Sequence, residues 1–299
     1  MRLLKLGFTD TLPSIANYFV EALKTRYEIH IDNDQPDYLI FGDKNFGNNN
    51  NSFNDKNCIK IFFTGENERP WDYHCHYAIS FDHIEDERCF RLPIYVLYNF
   101  DHKLIENRNR SLEDLTEEKK FASFLVNNPR CEKRNAFYQR CLNYKDSGSA
   151  GKYLNNIGGP LGGTPVDKVN FMNGYKFNIT FENSSYPGYA TEKLMEALCA
   201  KTIPLYWGSP TAPMEFNRKA FLNWHDFQDD DAFWEAVVEL DNNPKLYEEM
   251  YMQPVFPNDE ITKFFDRERF LNWFDRHVYK GAINVQHSQQ SPDHFTYRV

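Results

Sequence analysis

The stretch SSYPGYATEKLMEALCAKTIPLYWGSP (184–210) joins three unlike signals in unbroken order. A polar loop containing Gly188 leads to Thr191, a residue type that caps helices, and the charged pair Glu192 and Lys193 opens the helix. A short apolar strand, 203–206, follows and closes on a Gly-Ser-Pro turn. With the strand pattern YKFNITFEN (175–183) ahead of it, the segment reads as strand, loop, helix, strand, the building unit of a parallel sheet. If Thr191 is the N-cap, the free N–H groups of the first turn and the positive end of the helix dipole face the loop, a place for an anion. Lys193 sets a cation where the dipole disfavours one, and an anion between the two would repair the mismatch. A phosphate is the expected group. The alternative is a solvated first-turn lysine beside Glu192.

Working outward, the same alternation extends in both directions. FASFLV (121–126) reads as a strand, followed by a helix beginning at Pro129 with Asn128 as its cap and a Gly-rich loop over 146–163. In the first third, RLLKLGF, YEIHI, DYLIFGD, IKIFFTG and YAISFD are short apolar runs separated by polar breaks. Residues 14–26 place Ile15, Phe19, Ala22 and Leu23 on one helix face. The charged run LEDLTEEKK (112–120) suits a linker, and the Asn-rich segment 46–57 a surface loop. The expected fold is α/β, with two Rossmann-like domains facing a cleft: 1–117, 118–280, and a polar tail over 281–299. The helical, aromatic-rich stretch 229–280 is expected to belong to the second domain.

Composition narrows the function. Lys and Arg total 34 against 43 Asp and Glu, a net charge of −9, so a broad electrostatic footprint for nucleic acid is missing and any phosphate site must be local. No apolar run reaches the length of a membrane span, and the opening MRLLKLGFTD turns polar too early for a signal peptide. A cytoplasmic protein with six reduced cysteines is expected. The triplets starting at Asn50, Asn109, Asn178 and Asn183 are then chance matches to a glycosylation pattern.

Four segments carry residues suited to ligand chemistry. FFTGENERP (62–70) ends a buried-type strand in a turn and delivers Glu66 at the carboxyl edge of the sheet, where open α/β sheets place ligands. The helix after Asn128 carries Arg134 early in its course. The loop DSGSAGKYLNNIGG (146–159), with Gly148 and Ser149, could let backbone N–H groups approach a diphosphate, although it lacks the P-loop pattern. The fourth segment is the opening stretch together with Phe181, Glu182 and Asn183.

Taken in order, FFTGENERP, FASFLVNNP with RNAFY, the Gly-rich loop, and KFNITFENSSYPGYATEKLMEALCAKTIPLYWGSP resemble the bacterial α-1,3/1,4-fucosyltransferases that use GDP-fucose. The resemblance runs from about Ile59 to Asp226. It implies a GT-B type enzyme that transfers L-fucose from GDP-β-L-fucose with inversion. The acceptor would be O3, or O4, of GlcNAc or glucose in a lactosamine- or lactose-type glycan. By the same resemblance Glu66 corresponds to the general base, Arg134 and Lys193 to diphosphate-binding cations, and Asn183, Tyr189 and Glu192 to donor-site residues, with Glu192 near the ribose or the fucose. The chain departs from the family at Tyr186 and Pro187, before Gly188, and carries no repeat-bearing basic tail, so attachment at the inner membrane would be at most peripheral.

The resemblance also implies that no metal cofactor is required, since Arg134, Lys193 and the helix N-terminus would meet the charge on the leaving GDP. Against that stand Asp32-Asn33-Asp34 and Asp229-Asp230-Asp231, which match an Asp-x-Asp metal pattern, and His74-Cys75-His76. The first two also read as a turn and as an acidic helix start, and neighbouring residues on a strand point to opposite faces. Other readings of the whole are a transferase for another nucleotide sugar and an inert glycan-binding module.

Overall fold

The computed structural model describes residues 2–45, 57–98, 103–106, 108–162 and 164–279. Nearly all of the expected Asn-rich loop, Gly163 and the tail beyond 280 lie outside the described residues. The chain forms two compact units, Met1–Phe100 with the chain from Lys263 onward, and Asp101–Thr262.

The first unit runs β1 (Arg2–Thr9), α1 (Pro13–Leu23), β2 (Tyr27–Ile31), β3 (Tyr38–Phe41), β4 (Ile59–Phe63), β5 (Tyr77–Ser80), β6 (Cys89–Arg91) and α2 (Ile94–Tyr98). Its strands form one parallel sheet in the order β2-β1-β3-β4-β5-β6. Every residue of β3 and β5 is buried, as continuous apolar runs are when helices cover both faces of a parallel sheet. α1 starts on Pro13, whose fixed φ suits a first helical position, and buries Ile15, Tyr18, Phe19, Ala22 and Leu23.

The second unit contains α3 (Lys103–Glu106), β7 (Lys120–Phe124), α4 (Glu132–Tyr144), β8 (Ser147–Ser149), α5 (Pro165–Asn173), β9 (Tyr175–Phe181), α6 (Glu192–Cys199), β10 (Ile203–Trp207), β11 (Leu222–Asn223), α7 (Asp230–Asn242) and α8 (Pro244–Tyr251). Its parallel sheet has the order β11-β10-β9-β7-β8. α4 seats Tyr138 flat on Phe124 of β7, with ring centroids 4.3 Å apart, and Phe137 on Phe181 of β9 at 4.9 Å. Two parallel α/β sheets is the fold class expected from the sequence.

Several details differ. Contacts divide the chain near residue 100 rather than 117, and α9 (Arg267–Trp273) with the π-helical turn Phe274–Tyr279 belongs to the first unit. Phe270 packs on Phe19 (5.6 Å) and Phe90 (5.7 Å), and Phe274 on Tyr27 and Tyr38 (5.8 Å each). The apolar stripe of a helix tells that it will be buried but not which core will take it. The helix after Asn128 starts at Glu132, with Cys131 at the cap position. The Gly-rich segment contains a strand, β8, and the short elements β6 and β11, too brief to show a period, escaped the sequence reading.

Candidate active site

In the second sheet the chain passes from β7 through α4 to β8 on one side, then through α5 to β9 on the other. The carboxyl ends of β7 and β9 are thus the switch point at which open α/β sheets hold ligands. Glu182, directly after β9, is 0% exposed. One carboxylate oxygen accepts the Thr191 backbone N–H (2.7 Å), and the other accepts the Thr191 hydroxyl (2.7 Å) and the Lys193 ammonium (3.0 Å). The chain thus places an anion of its own, Glu182, beside the start of α6. Thr191 does stand at the N-cap position, but its hydroxyl serves Glu182 instead of capping its own helix. Lys193 also donates to Thr191 Oγ1 (2.8 Å) and lies 3.6 Å from Glu192. Burial alone would lower the pKa of the Lys193 ammonium, but Glu182 and Glu192 outweigh it and hold it above its ordinary value.

Burial raises the pKa of Glu192 as well, and here the ammonium groups of Lys193 and Lys168 win, so its carboxyl sits below the usual range and stays ionised. One turn along α6, Glu196 is gripped by Lys168 of α5 at 3.1 and 3.2 Å, and burial, with Glu192 adding to it, pushes its carboxyl up to about 7. Lys168, Glu192, Lys193 and Glu196 line a cavity of about 50 Å³ at the switch point. Sequence reasoning placed Glu182 in a ligand-type segment without giving it a role of its own, and passed over Glu196 and Lys168. The available signal was Glu196, an acid on the apolar face of α6 four residues after Glu192.

Arg134 is 1% exposed, at the same edge. Its Nη1 donates to Phe181 O (3.1 Å) and Asn183 Oδ1 (3.0 Å), and its Nη2 to Asn128 O (2.9 Å). Its Nε is buried with no hydrogen-bond partner among the described residues. Burial lowers the pKa of the guanidinium, which remains charged. The structure thus brings Arg134 and Asn183 together, with Tyr189 buried and within electrostatic reach of the guanidinium.

Gly148 and Ser149 are placed otherwise than expected. Gly148 is the middle residue of β8 and Ser149 its last, and Ser149 gives its N–H to Asn156 Oδ1 (2.7 Å) and its hydroxyl to Tyr153 O (2.9 Å). A Cβ on Gly148 would sit 1.9 Å from the Tyr175 hydroxyl oxygen, so the glycine makes room for a side chain rather than for a phosphate.

In the first unit, Glu66 follows β4 at the carboxyl edge, half-buried. Thr64 fixes its backbone: the Glu66 N–H donates to Thr64 Oγ1 (3.0 Å), and the Thr64 hydroxyl donates to Asp43 Oδ2 (2.7 Å). Beyond Glu66, Arg69 binds Asp82 at 2.5 Å and also Asn67. Glu68 is taken by Lys44 (3.0 Å) and the Tyr73 hydroxyl (3.3 Å).

The same two-part organisation recurs in known proteins. The model of the α-(1,3)-fucosyltransferase FucT N-terminal domain matches residues 5–98, and that of the glycosyltransferase family 10 (fucosyltransferase) C-terminal domain matches residues 115–253. The chain belongs to the family 10 fucosyltransferases. It is 31% identical to the α-(1,3)-fucosyltransferase FucT of Helicobacter pylori over 288 residues, covering 85% of this chain and 59% of that protein, so it spans somewhat more than half of that relative's length. Crystal structures of an α1,3-fucosyltransferase, one of them with GDP-fucose, superpose with TM-scores of 0.77 and 0.74, each at 26% identity. The first covers 93% of this chain and 90% of its own, the second 92% and 90%.

Within this family 10 chain the metal-like motifs have other partners. Asp32 pairs with Lys5 and accepts the N–H groups of Asp34 and Gln35 in a turn. Asp229 caps α7 through the N–H groups of Asp231 and Ala232, Asp230 binds Lys133 and Trp224, and Asp231 binds Arg140. His76 Nδ1 accepts the Lys60 N–H (2.9 Å), and burial pushes the Cys75 thiol up to about 12. A larger pocket of about 580 Å³ lies at the amino edge of β7 and β9, away from the switch point, and its lysines are matched: Lys120 by Asp146, Lys145 and Lys176 by Asp241, Lys119 by Asn173. Among the described residues no helix is long and apolar enough to cross a membrane. Cys75, Cys89, Cys131, Cys141 and Cys199 are free thiols.

Proposed function

We propose that this protein moves L-fucose from GDP-β-L-fucose, with inversion, to O3 or O4 of GlcNAc or glucose in a lactosamine- or lactose-type acceptor. In this reading the second unit holds the donor and the first the acceptor. The observation that carries it is the charged edge at the β7/β9 switch point, where Arg134, Lys193, Asn183, Tyr189 and Glu192 gather in a family 10 chain.

The chemistry assigned to these residues follows from charge. The acceptor hydroxyl attacks the anomeric carbon opposite the leaving group and gives its proton to Glu66, while the bond to the β-phosphate oxygen breaks and its electron pair leaves with GDP. A positioned carboxylate base contributes roughly 10²–10⁴ in rate. Negative charge growing on GDP is met by Arg134, Lys193 and the first turn of α6, through charge-assisted hydrogen bonds worth about 1.5–3 kcal/mol each. Glu192, ionised, faces the ribose or the positive charge growing on the fucosyl ring. These cations make a divalent metal dispensable in this reading. The free thiols of Cys75, Cys89, Cys131, Cys141 and Cys199 fit a cytoplasmic setting.

The test is transfer from GDP-fucose to lactose and to N-acetyllactosamine with EDTA present, product being followed by mass spectrometry and GDP and UDP compared as inhibitors. Fucosylated product in EDTA supports the reading. Absence of GDP binding in calorimetry defeats it, and stronger competition by UDP moves it to another nucleotide sugar.

A further inference from the structure

Two buried acids from the strands on either side of β4 grip the turn that carries Glu66. Asp43, after β3, is 1% exposed and accepts the Thr64 hydroxyl, and Thr64, also 1% exposed, accepts the Glu66 backbone N–H. A second hydrogen bond, from Asn45 N–H to Asp43 Oδ1 (2.8 Å), fixes the Asp43 carboxylate. On the other side Asp82, after β5 and 3% exposed, holds Arg69, is steadied by the Ser80 hydroxyl (2.9 Å), and through Arg69 reaches Asn67, the neighbour of Glu66. Arg69 in turn lies over the Phe81 ring at 4.8 Å. From below, Gly65 is pressed so closely on α2 that a Cβ there would stand 2.6 Å from Ile94 Cδ1. The sheet order β3-β4-β5 is what brings the two acids to opposite sides of one turn.

We propose that Thr64 with Asp43, and Arg69 with Asp82, are positioning residues for Glu66, setting the backbone from which its carboxylate meets the acceptor proton. Burying two carboxylates is costly, and in both clusters the hydrogen bonds that offset the cost go to this turn and to the strand ends beside it. What the polar contacts add is direction, and a displacement of about 1 Å at a reacting group can cost on the order of 10²-fold in rate. The inference rests on Glu66 as general base.

The experiment is a double-mutant cycle read as kcat, KM for GDP-fucose and GDP affinity, with melting temperature measured alongside. Thr64→Val is expected to lower kcat by about 10- to 100-fold with GDP affinity unchanged, since the variant leaves the second unit untouched, and Thr64→Ser, which restores the hydroxyl, to return it to within about threefold. In Glu66→Gln the same Thr64→Val change is expected to cost nothing further, because Thr64 acts only through Glu66. Thr64→Val with full kcat, or an additive loss in the Glu66→Gln background, overturns the proposal. If Glu66→Gln itself retains full kcat, the base assignment fails instead, which is a different result. Asp82→Asn combined with Glu66→Gln gives the same cycle from the other side of the turn should the Thr64→Val variant not fold.

Discussion

Glu182 and Lys193 lie 3.0 Å apart, the carboxylate wholly buried and the ammonium side chain 24% exposed. The lysine therefore answers a charge inside the protein and, in the proposed reading, a second one arriving with the donor. It also donates to Thr191 Oγ1, and its third N–H is left with only the charge of Glu192 nearby, beyond hydrogen-bond distance. Glu192, at 3.6 Å, is the loosest of these contacts and the one a diphosphate oxygen would replace at least cost.

Removing Lys193 should thus have two separable effects. Lys193→Ala strands a buried carboxylate and is expected to cost about 3–5 kcal/mol in urea unfolding, together with about 1.5–3 kcal/mol of GDP affinity in calorimetry. Adding Glu182→Gln should recover most of the stability and none of the affinity. Recovery of GDP affinity in the double variant would confine Lys193 to a structural role.

Glu66→Gln is expected to lower turnover by roughly 10²-fold or more while GDP binding is retained. The pairing of the two readouts matters, because a variant damaged in its fold would lose both. Unchanged turnover removes Glu66 as the base.

The raised pKa of Glu196 makes a prediction about stability and pH. Its carboxyl titrates at about 7 in the folded chain against an ordinary value of 4.5, so between those pH values the folded state holds a proton that the unfolded state has released. Stability then falls as pH rises through that window. Glu196→Gln cannot lose a proton, and its unfolding free energy relative to the parent should rise by up to about 3 kcal/mol between pH 4.5 and 7.5. Parallel stability curves for the two proteins would refute the assignment.

Gly148→Ala should be destabilising by about 1–3 kcal/mol through overpacking, since the added carbon meets the Tyr175 hydroxyl. Tyr175→Phe removes the nearest atom and should restore part of the loss. Thermal melts of the single and double variants check this. Loss of GDP affinity without loss of stability in Gly148→Ala would instead return Gly148 to the donor site.

What the sequence determined by itself is what local pattern controls. The runs YEIHI and IKIFF coincide with β2 and β4, and the helix face of Ile15, Phe19, Ala22 and Leu23 is the buried face of α1, because period and burial are properties of neighbours along the chain. The string 184–210 likewise carried the loop, helix and strand around Thr191. Tertiary structure alone decided what fills charge at a distance. Nothing near Lys193 in the pattern shows that Glu182, eleven residues earlier, ends β9 facing inward, or that Lys168 of α5 reaches Glu196. The same holds for Asp43, Thr64 and Asp82, whose meeting depends on the order of strands in the sheet, and for α9, whose aromatic face joined the first core rather than that of the second unit, which precedes it in the chain. Hydrophobic periodicity says that a face will be buried; long-range packing selects the partner, and buried charge is paired only after that choice is made.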